Sequence, residues 1–302
     1  MDRANGKKYY YRFSWMKLIR PMTLTGTITP ILAGTALASV KGPIRLDIFI
    51  AMSAAAILVQ AATNMFNDYY DFLNGQDQEK WILHDQSTNH HGPALHSIPI
   101  VAGSLIATAI VIGAWLALNS HAWIAWVGAL GIWAGYKYSA GSNSLSSKGL
   151  GELVAAVFLG TVVTTLAYVV QGYDIDLSIL AVSLPYSFLI ASMILTNNIR
   201  DIEKDRPYRK TIAILLGRKN AVRLLYTFIA SAYGSVMLLI FFHVVCWSAA
   251  MVLLSLPISV QLLWSFRSHA KRIDEINGMK WAAWQHWSFG LLFAGSLWFH
   301  HL

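Results

Sequence analysis

The sequence predicts an all-α, polytopic membrane protein, and three observations predict it. Of its 302 residues 56% are apolar and only 13% charged, a balance foreign to a soluble domain with a wetted surface. The apolar residues gather into runs long enough to cross about 30 Å of hydrocarbon as helices. Lysine and arginine collect in alternate connections between those runs, as membrane topology demands.

Nine spans are expected. The first, over residues 21–40, follows a basic segment carrying Arg3, Lys7, Lys8, Arg12, Lys17 and Arg20. No small-residue cleavage site follows a short apolar core there, so this run is expected to remain as a span. The second covers 46–66 and leads into a polar stretch, Asn74 to His96, too long for a hairpin turn and better read as a lid or site loop. Spans three and four, 98–118 and 121–139, leave room only for a tight turn. Spans five and six, 153–171 and 177–196, are followed by a basic segment. The seventh and eighth, 224–245 and 247–266, again meet in a tight turn near Cys246, and the ninth covers 281–300.

With nine spans and the N-terminus inside, the inner segments are 1–20, 67–97, 137–152, 197–223 and 267–280. They hold 21 of the 23 Lys and Arg residues; Lys41 and Arg45 are the other two. That bias makes the basic face cytoplasmic and gives the formal charge of +8 an orienting role. The expected location is the inner, cytoplasmic membrane, multi-pass, with the polar ends of spans two and six facing the cytoplasm. Basic residues are not interleaved with aromatics in a soluble module, which argues against nucleic-acid binding. Cys246 is the single cysteine, so neither an intrachain disulfide nor a thiolate metal cluster is available. Without a linker or low-complexity tract, residues 1–302 read as one domain.

Thr63-Asn64-Met65-Phe66-Asn67-Asp68 recurs in outline as Thr196-Asn197-Asn198-Ile199-Arg200-Asp201. A further acid follows each copy, Asp71 and Asp205. On a helix, Asn64, Asp68 and Asp71 form one polar stripe and Asn197, Asp201 and Asp205 another. Acids in or beside a bilayer generally serve a cation or a charged substrate. Mg²⁺ takes one or two protein carboxylates and completes its shell with water and phosphate oxygens, so two separated stripes suit a diphosphate held between Mg²⁺ ions. Downstream lie Arg206, Arg209 and Lys210, then Arg218 and Lys219; Arg209 and Lys210 are placed to assist a leaving diphosphate. A cation-coupled secondary transporter is the alternative from another class, but transporter sites lie nearer the midplane on interrupted helices.

Asn67-Asp68-Tyr69-Tyr70-Asp71 and Asp201-Ile202-Glu203-Lys204-Asp205 resemble the two aspartate-rich motifs of the UbiA superfamily of intramembrane prenyltransferases. The flanking Asn64, Asn197-Asn198, Arg209-Lys210-Thr211 and Leu215-Leu216-Gly217-Arg218 are similar to the branch of the menaquinone pathway that prenylates 1,4-dihydroxy-2-naphthoate. Arg20-Pro21, Pro30 and Gly149-Leu150-Gly151-Glu152 also resemble that branch. The resemblance implies nine helices around a central cavity and Mg²⁺ at Asp68, Asp71, Asp201 and Asp205. It implies substrate contacts from Arg20, Asn64, Asn67, Asn197, Asn198, Arg209 and Lys210.

It further implies ionisation of a polyprenyl diphosphate to an allylic cation, attack by the aromatic ring, and loss of the acceptor's carboxylate as CO₂. Another aromatic acid, such as 4-hydroxybenzoate, is the alternative acceptor. Tyr69, Tyr70, Tyr136 and Tyr138 can offer ring faces to a cation. Lys137 sits where it can reach diphosphate or the acceptor's carboxylate. The superfamily pattern would put a third acid at position 75, where this chain has Gly75; Asp77 is the nearest acid and Lys80 the nearby base. The irregular spacing of His84, His90, His91 and His96 favours a polar lid over a metal site.

Overall fold

A computed structural model describes residues 8–83, 92–141 and 144–298. A short helix α1 (Trp15–Ile19) ends at Arg20, whose left-handed backbone (φ 56°) turns the chain. Pro21 then starts a single tight turn before α2 (Thr25–Lys41), and the two helical pieces meet at 46°. The chain continues through α3 (Leu46–Leu73), α4 (Ser97–Asn119) and α5 (Ile124–Ser139). The next rod runs from α6 (Gly151–Ala155) through a π-helical stretch, Ala156–Val162, into α7 (Val163–Val169). Helix α8 (Leu177–Arg200) leads into the one-turn α9 (Ile202–Asp205) and then α10 (Ile212–Phe241). A 3₁₀ segment, Trp247–Ser255, continues as α11 (Leu256–Trp264), and α12 (Arg272–Trp298) closes the described chain.

Among the described residues, helices occupy all nine expected positions. Six are long and apolar enough to cross a membrane, or seven if the bent pair before Lys41 counts as one span. The 16 residues of α5 reach about 24 Å, short of the hydrocarbon thickness. Helix α12 begins with Arg272, Asp274 and Glu275. The protein is a multi-pass membrane protein. Leu118, Trp126 and Leu177 are exposed large apolar side chains of the kind that face lipid.

The all-α fold stands, with two features that the sequence reading did not contain. One small sheet accompanies the helices, β1 (Tyr9–Tyr11) pairing antiparallel with β2 (Trp81–Leu83). Three-residue strands carry no periodicity that hydropathy detects, yet this pair straps the N-terminal segment over the loop after α3. The second polar stripe also does not lie on one helix. Asp201 is the C-cap of α8, with φ −105° and ψ 14°, so Asn197 and Asp205 sit on either side of a break. His84, His90 and His91 lie outside the described residues.

Close helix contacts depend on small residues, as in other membrane bundles. A Cβ on Gly34 of α2 would lie 2.1 Å from the Thr164 carbonyl oxygen, and one on Gly160 would lie 2.5 Å from Ser187 Cα. Helix ends are fixed locally: Asp176 Oδ1 accepts from the Ile179 amide at 3.0 Å, capping α8. Gly217 (φ 72°, ψ 156°) breaks α10 one turn after it begins. A left-handed backbone there needs glycine, and the break separates the apolar first turn, 212–216, from the basic stretch that opens with Arg218 and Lys219.

Candidate active site

Helix α3 carries its acids deep in the protein. Asp68 is 1% exposed; its Oδ1 accepts from Arg20 Nη2 at 2.8 Å and Lys80 Nζ at 2.7 Å, and its Oδ2 from the Tyr11 hydroxyl at 3.3 Å. The left-handed turn at Arg20 aims that guanidinium at α3, where Asn67 Oδ1 also accepts from it at 2.8 Å. Asn64 holds the turn by donating to the Ile19 carbonyl (2.8 Å) and to Thr23 Oγ1 (3.1 Å). One turn on, Asp71 pairs with Arg209 Nη2 at 3.1 Å, and Arg209 Nε lies 3.6 Å from Asp205 Oδ1. Arg209 therefore joins the two motifs. Its Nε is buried without a hydrogen-bond partner.

The second motif is held by arginines. Asp201 pairs with Arg200, and its Oδ1 also accepts from Arg272 Nη2 of α12 at 3.3 Å. Arg200 Nη2 donates to Asn197 Oδ1 at 2.7 Å. Burial pushes the Asp205 carboxyl up to about 6; neighbouring Arg209 opposes the rise, while Asp201, Asp71 and Asp77 add to it.

Gly75, where the superfamily pattern has an acid, ends α3 in a left-handed turn (φ 82°). Asp77 follows and is not adjacent to the α3 stripe. It reaches that stripe through Lys80, whose Nζ lies 2.6 Å from Asp77 and 2.7 Å from Asp68. Burial works against ionisation of Asp77, yet Lys80 and Lys204 hold its carboxyl well below the usual range. Lys204 pairs with Asp77 and with Glu79 Oε1 (2.6 Å), tying the second motif to the loop after the first.

A cavity of about 580 Å³ opens beside these groups. At one end it is lined by Arg20, Asn64, Asn67, Asn197, Asn198, Arg209 and Tyr138; beyond them Ala55, Val59, Ala109, Gly113, Gly128 and Phe158 give it apolar walls. The four motif acids do not line it. Their cations Arg20 and Arg209 do, so the cavity wall presents donors with carboxylates behind them. Among the described residues no group of three or more His, Cys, Asp or Glu forms a ready metal cage. Buried hard-oxygen donors in two separate pairs nonetheless fit cations whose remaining ligands come from a phosphate substrate.

A family model described as the UbiA prenyltransferase family matches residues 27–298. The chain belongs to the UbiA prenyltransferase family. It is similar to the 1,4-dihydroxy-2-naphthoate octaprenyltransferase of Bacillus subtilis, 34% identical over 277 residues that span 91% of this chain and 89% of that protein. The protein of that name from Mycobacterium tuberculosis is 30% identical over 222 residues, 73% of this chain and 75% of the relative. Among solved structures, a UbiA homolog from Aeropyrum pernix has a TM-score of 0.66 at 17% identity, covering 93% of this chain and 99% of that one. A homolog from Archaeoglobus fulgidus bound to GPP and Mg²⁺ has a TM-score of 0.61 at 14% identity, covering 92% and 99%. The two structures share the fold of this UbiA-family chain.

Within this UbiA-family site, not every expected residue converges. Lys137 and Lys210 are exposed, and neither lines the cavity. Tyr136 is exposed and shares a 2.7 Å hydroxyl contact with Tyr70, outside the cavity wall, whereas Tyr138 lines it. Helix α5 directs residues 136 and 138 to different sides, since neighbours two apart diverge by about 200° on a helix. Tyr11, Arg200, Arg272 and Lys204 were not expected at the site. Their roles arise from contacts between distant segments, and only the crowding of Lys and Arg on one face hinted at them.

Proposed function

We propose that this chain transfers a polyprenyl group from polyprenyl diphosphate to 1,4-dihydroxy-2-naphthoate, with diphosphate and CO₂ leaving. The observation that carries the reading is the two-part cavity, apolar along its walls and lined with arginine and asparagine at one end, with paired acids behind. An isoprenoid tail suits the apolar part and a diphosphate the polar end. The names of the relatives supply the acceptor.

In this reading Asp68, Asp71, Asp201 and Asp205 would hold Mg²⁺, which would neutralise charge on the diphosphate. Arg20 and Arg209 face the phosphate oxygens and stabilise the charge that develops as the allylic C–O bond breaks. The bonding electrons leave with diphosphate. The apolar walls keep water from the allylic cation, and the Tyr138 ring face stabilises it. The ring carbon bearing the carboxylate forms the new C–C bond. Its bond to the carboxylate then breaks, CO₂ leaves, and the electron pair restores the aromatic ring. The product is the prenylated naphthoquinol, the reduced form of demethylmenaquinone. Asn67 fixes Arg20, and Asn64 fixes the turn that aims it.

The crowding of Lys and Arg beside both motifs supports a site facing the cytoplasm in a cell's inner membrane. Detergent-purified protein given Mg²⁺, one polyprenyl diphosphate and each aromatic acid in turn tests the function. Prenylated naphthoquinol is the expected product; prenylation of 4-hydroxybenzoate alone would overturn the acceptor, and no product without Mg²⁺ is expected.

A further inference from the structure

Glu152 is a buried acid that the reaction outlined above does not use. It sits at the start of α6, 2% exposed, behind the cavity wall. Its Oε1 accepts from Asn198 Nδ2 at 2.8 Å. Its Oε2 is buried with no hydrogen-bond partner among the described residues. A carboxylate only accepts, so the amide must turn its NH₂ toward Glu152. Asn198 lines the cavity, and its carbonyl oxygen Oδ1 has no partner among the described residues. The direction of the amide is thus dictated from behind: Nδ2 is committed to the acid and Oδ1 is left for the cavity.

The second group is Tyr138, also on the cavity wall. A Cβ on Gly151, the residue before Glu152, would lie 3.2 Å from the Tyr138 hydroxyl. A side chain there would push on the ring by a few tenths of an ångström. No hydrogen bond to that hydroxyl occurs among the described residues, so an unpartnered donor lies beside the acid with an unpartnered oxygen.

The geometry points to a hydroxyl-recognition pair on the cavity wall, Asn198 Oδ1, oriented by Glu152 as a positioning residue, and the Tyr138 oxygen, together receiving the ring hydroxyl adjacent to the reacting carbon of the aromatic acceptor. The inference rests on the proposed reaction and deepens it. An acceptor of the O–H hydrogen bond draws the proton from the phenol and raises electron density at the ortho carbon, where the new C–C bond forms. A site with an unmet acceptor discriminates against a ligand lacking the hydroxyl.

The test uses the full-length protein in detergent, turning over 1,4-dihydroxy-2-naphthoate, with 1-hydroxy-2-naphthoate and 2-naphthoate as competing inhibitors that differ by one hydroxyl. Wild type is expected to bind the hydroxylated inhibitor about tenfold more tightly, the size of one well-made hydrogen bond. Glu152→Gln, whose side chain can donate or accept and so no longer dictates the amide's direction, is expected to reduce that ratio severalfold. It should leave the KM for prenyl diphosphate within a factor of about two. A wild-type ratio near one overturns the pair even if the variant fails to fold. A folded Glu152→Gln with an unchanged ratio overturns the positioning role. Wild type that turns over no dihydroxynaphthoate removes the proposed reaction and this inference together, whereas turnover with a ratio near one removes only the inference.

Discussion

Replacing Arg209 by Gln removes a side chain that bridges the two acidic motifs. The guanidinium lies 3.1 Å from Asp71 and 3.6 Å from Asp205, and the side chains of the first pair are 12% and 10% exposed. At an effective dielectric near 20, charges at these separations attract by about 5 kcal/mol per pair. Desolvation offsets much of that, and removing one partner of a buried pair costs about 3–5 kcal/mol because the other charge is stranded. Arg209→Gln is therefore expected to lower the stability of the metal-free protein by about 3 kcal/mol, reading the slight exposure as the lower end of that range. Mg²⁺ with diphosphate should restore much of the loss, since it supplies the counter-charge that the variant lacks.

Thermal unfolding followed by tryptophan fluorescence, with and without Mg²⁺ and diphosphate, reads both effects. In steady-state assays, loss of a charge-assisted hydrogen bond to phosphate should lower kcat/KM for prenyl diphosphate by about 10- to 100-fold. Arg209→Lys, which keeps the charge and loses the planar fork, should fall between. An Arg209→Gln protein that melts like wild type without Mg²⁺ and keeps its kcat/KM would refute the bridging role.

Asp201→Asn should reduce turnover at least about 100-fold while the protein elutes as a monodisperse, folded species; near-wild-type rates would remove Asp201 from the metal site. With the Asp205 carboxyl at about 6, Mg²⁺ must displace a proton below that pH. The apparent Mg²⁺ Kd in the presence of diphosphate is therefore expected to rise as pH falls from 7 to 5, and isothermal titration at three pH values would expose a flat profile. The sign for folding runs the other way: a carboxyl raised in the folded state favours folding below its unfolded value, and that contribution is lost as pH rises through about 6. Gly128 lines the cavity, and open space surrounds the position of its absent Cβ. Gly128→Phe should block long prenyl donors while short ones still react, and a product profile unchanged across donor lengths would place the tail elsewhere.

Hydropathy made the helix positions legible because it measures the property the bilayer selects. It misplaced their ends for the same reason. Span two reads as stopping at 66, but α3 runs on to Leu73, carrying Asp68 and Asp71 as helical residues beyond the apolar run. Span seven reads from 224, but α10 begins at Ile212, its first turns holding Arg218, Lys219 and Arg223. The acids were legible through their repeat. Their partners were not: Tyr11, Lys80 and Arg272 reach Asp68 or Asp201 from other segments, and such contacts leave no mark on local spacing. Lys137 was read from its nearness in sequence to Tyr138, but α5 sets Tyr138 on the cavity wall while the lysine stays exposed.

The pairing of acids with cations explains how the two motifs hold so many carboxylates close together. Four buried or half-buried carboxylates beside a low-dielectric cavity would repel one another strongly. Each instead has a basic partner: Arg20 and Lys80 at Asp68, Arg209 at Asp71 and Asp205, Arg200 and Arg272 at Asp201. On the proposed function, the carboxylates would hold Mg²⁺ and the arginines the phosphate oxygens, an exchange of partners in which the ion would supply the counter-charge. Charge is conserved in the exchange, so neither half gains much alone. Arg20 and Arg209 line the cavity while their acids lie behind, so a diphosphate entering the cavity would meet those donors before the carboxylates. Metal affinity is then a property of the pair of ligands, and the two motifs work as one site because Arg209 belongs to both.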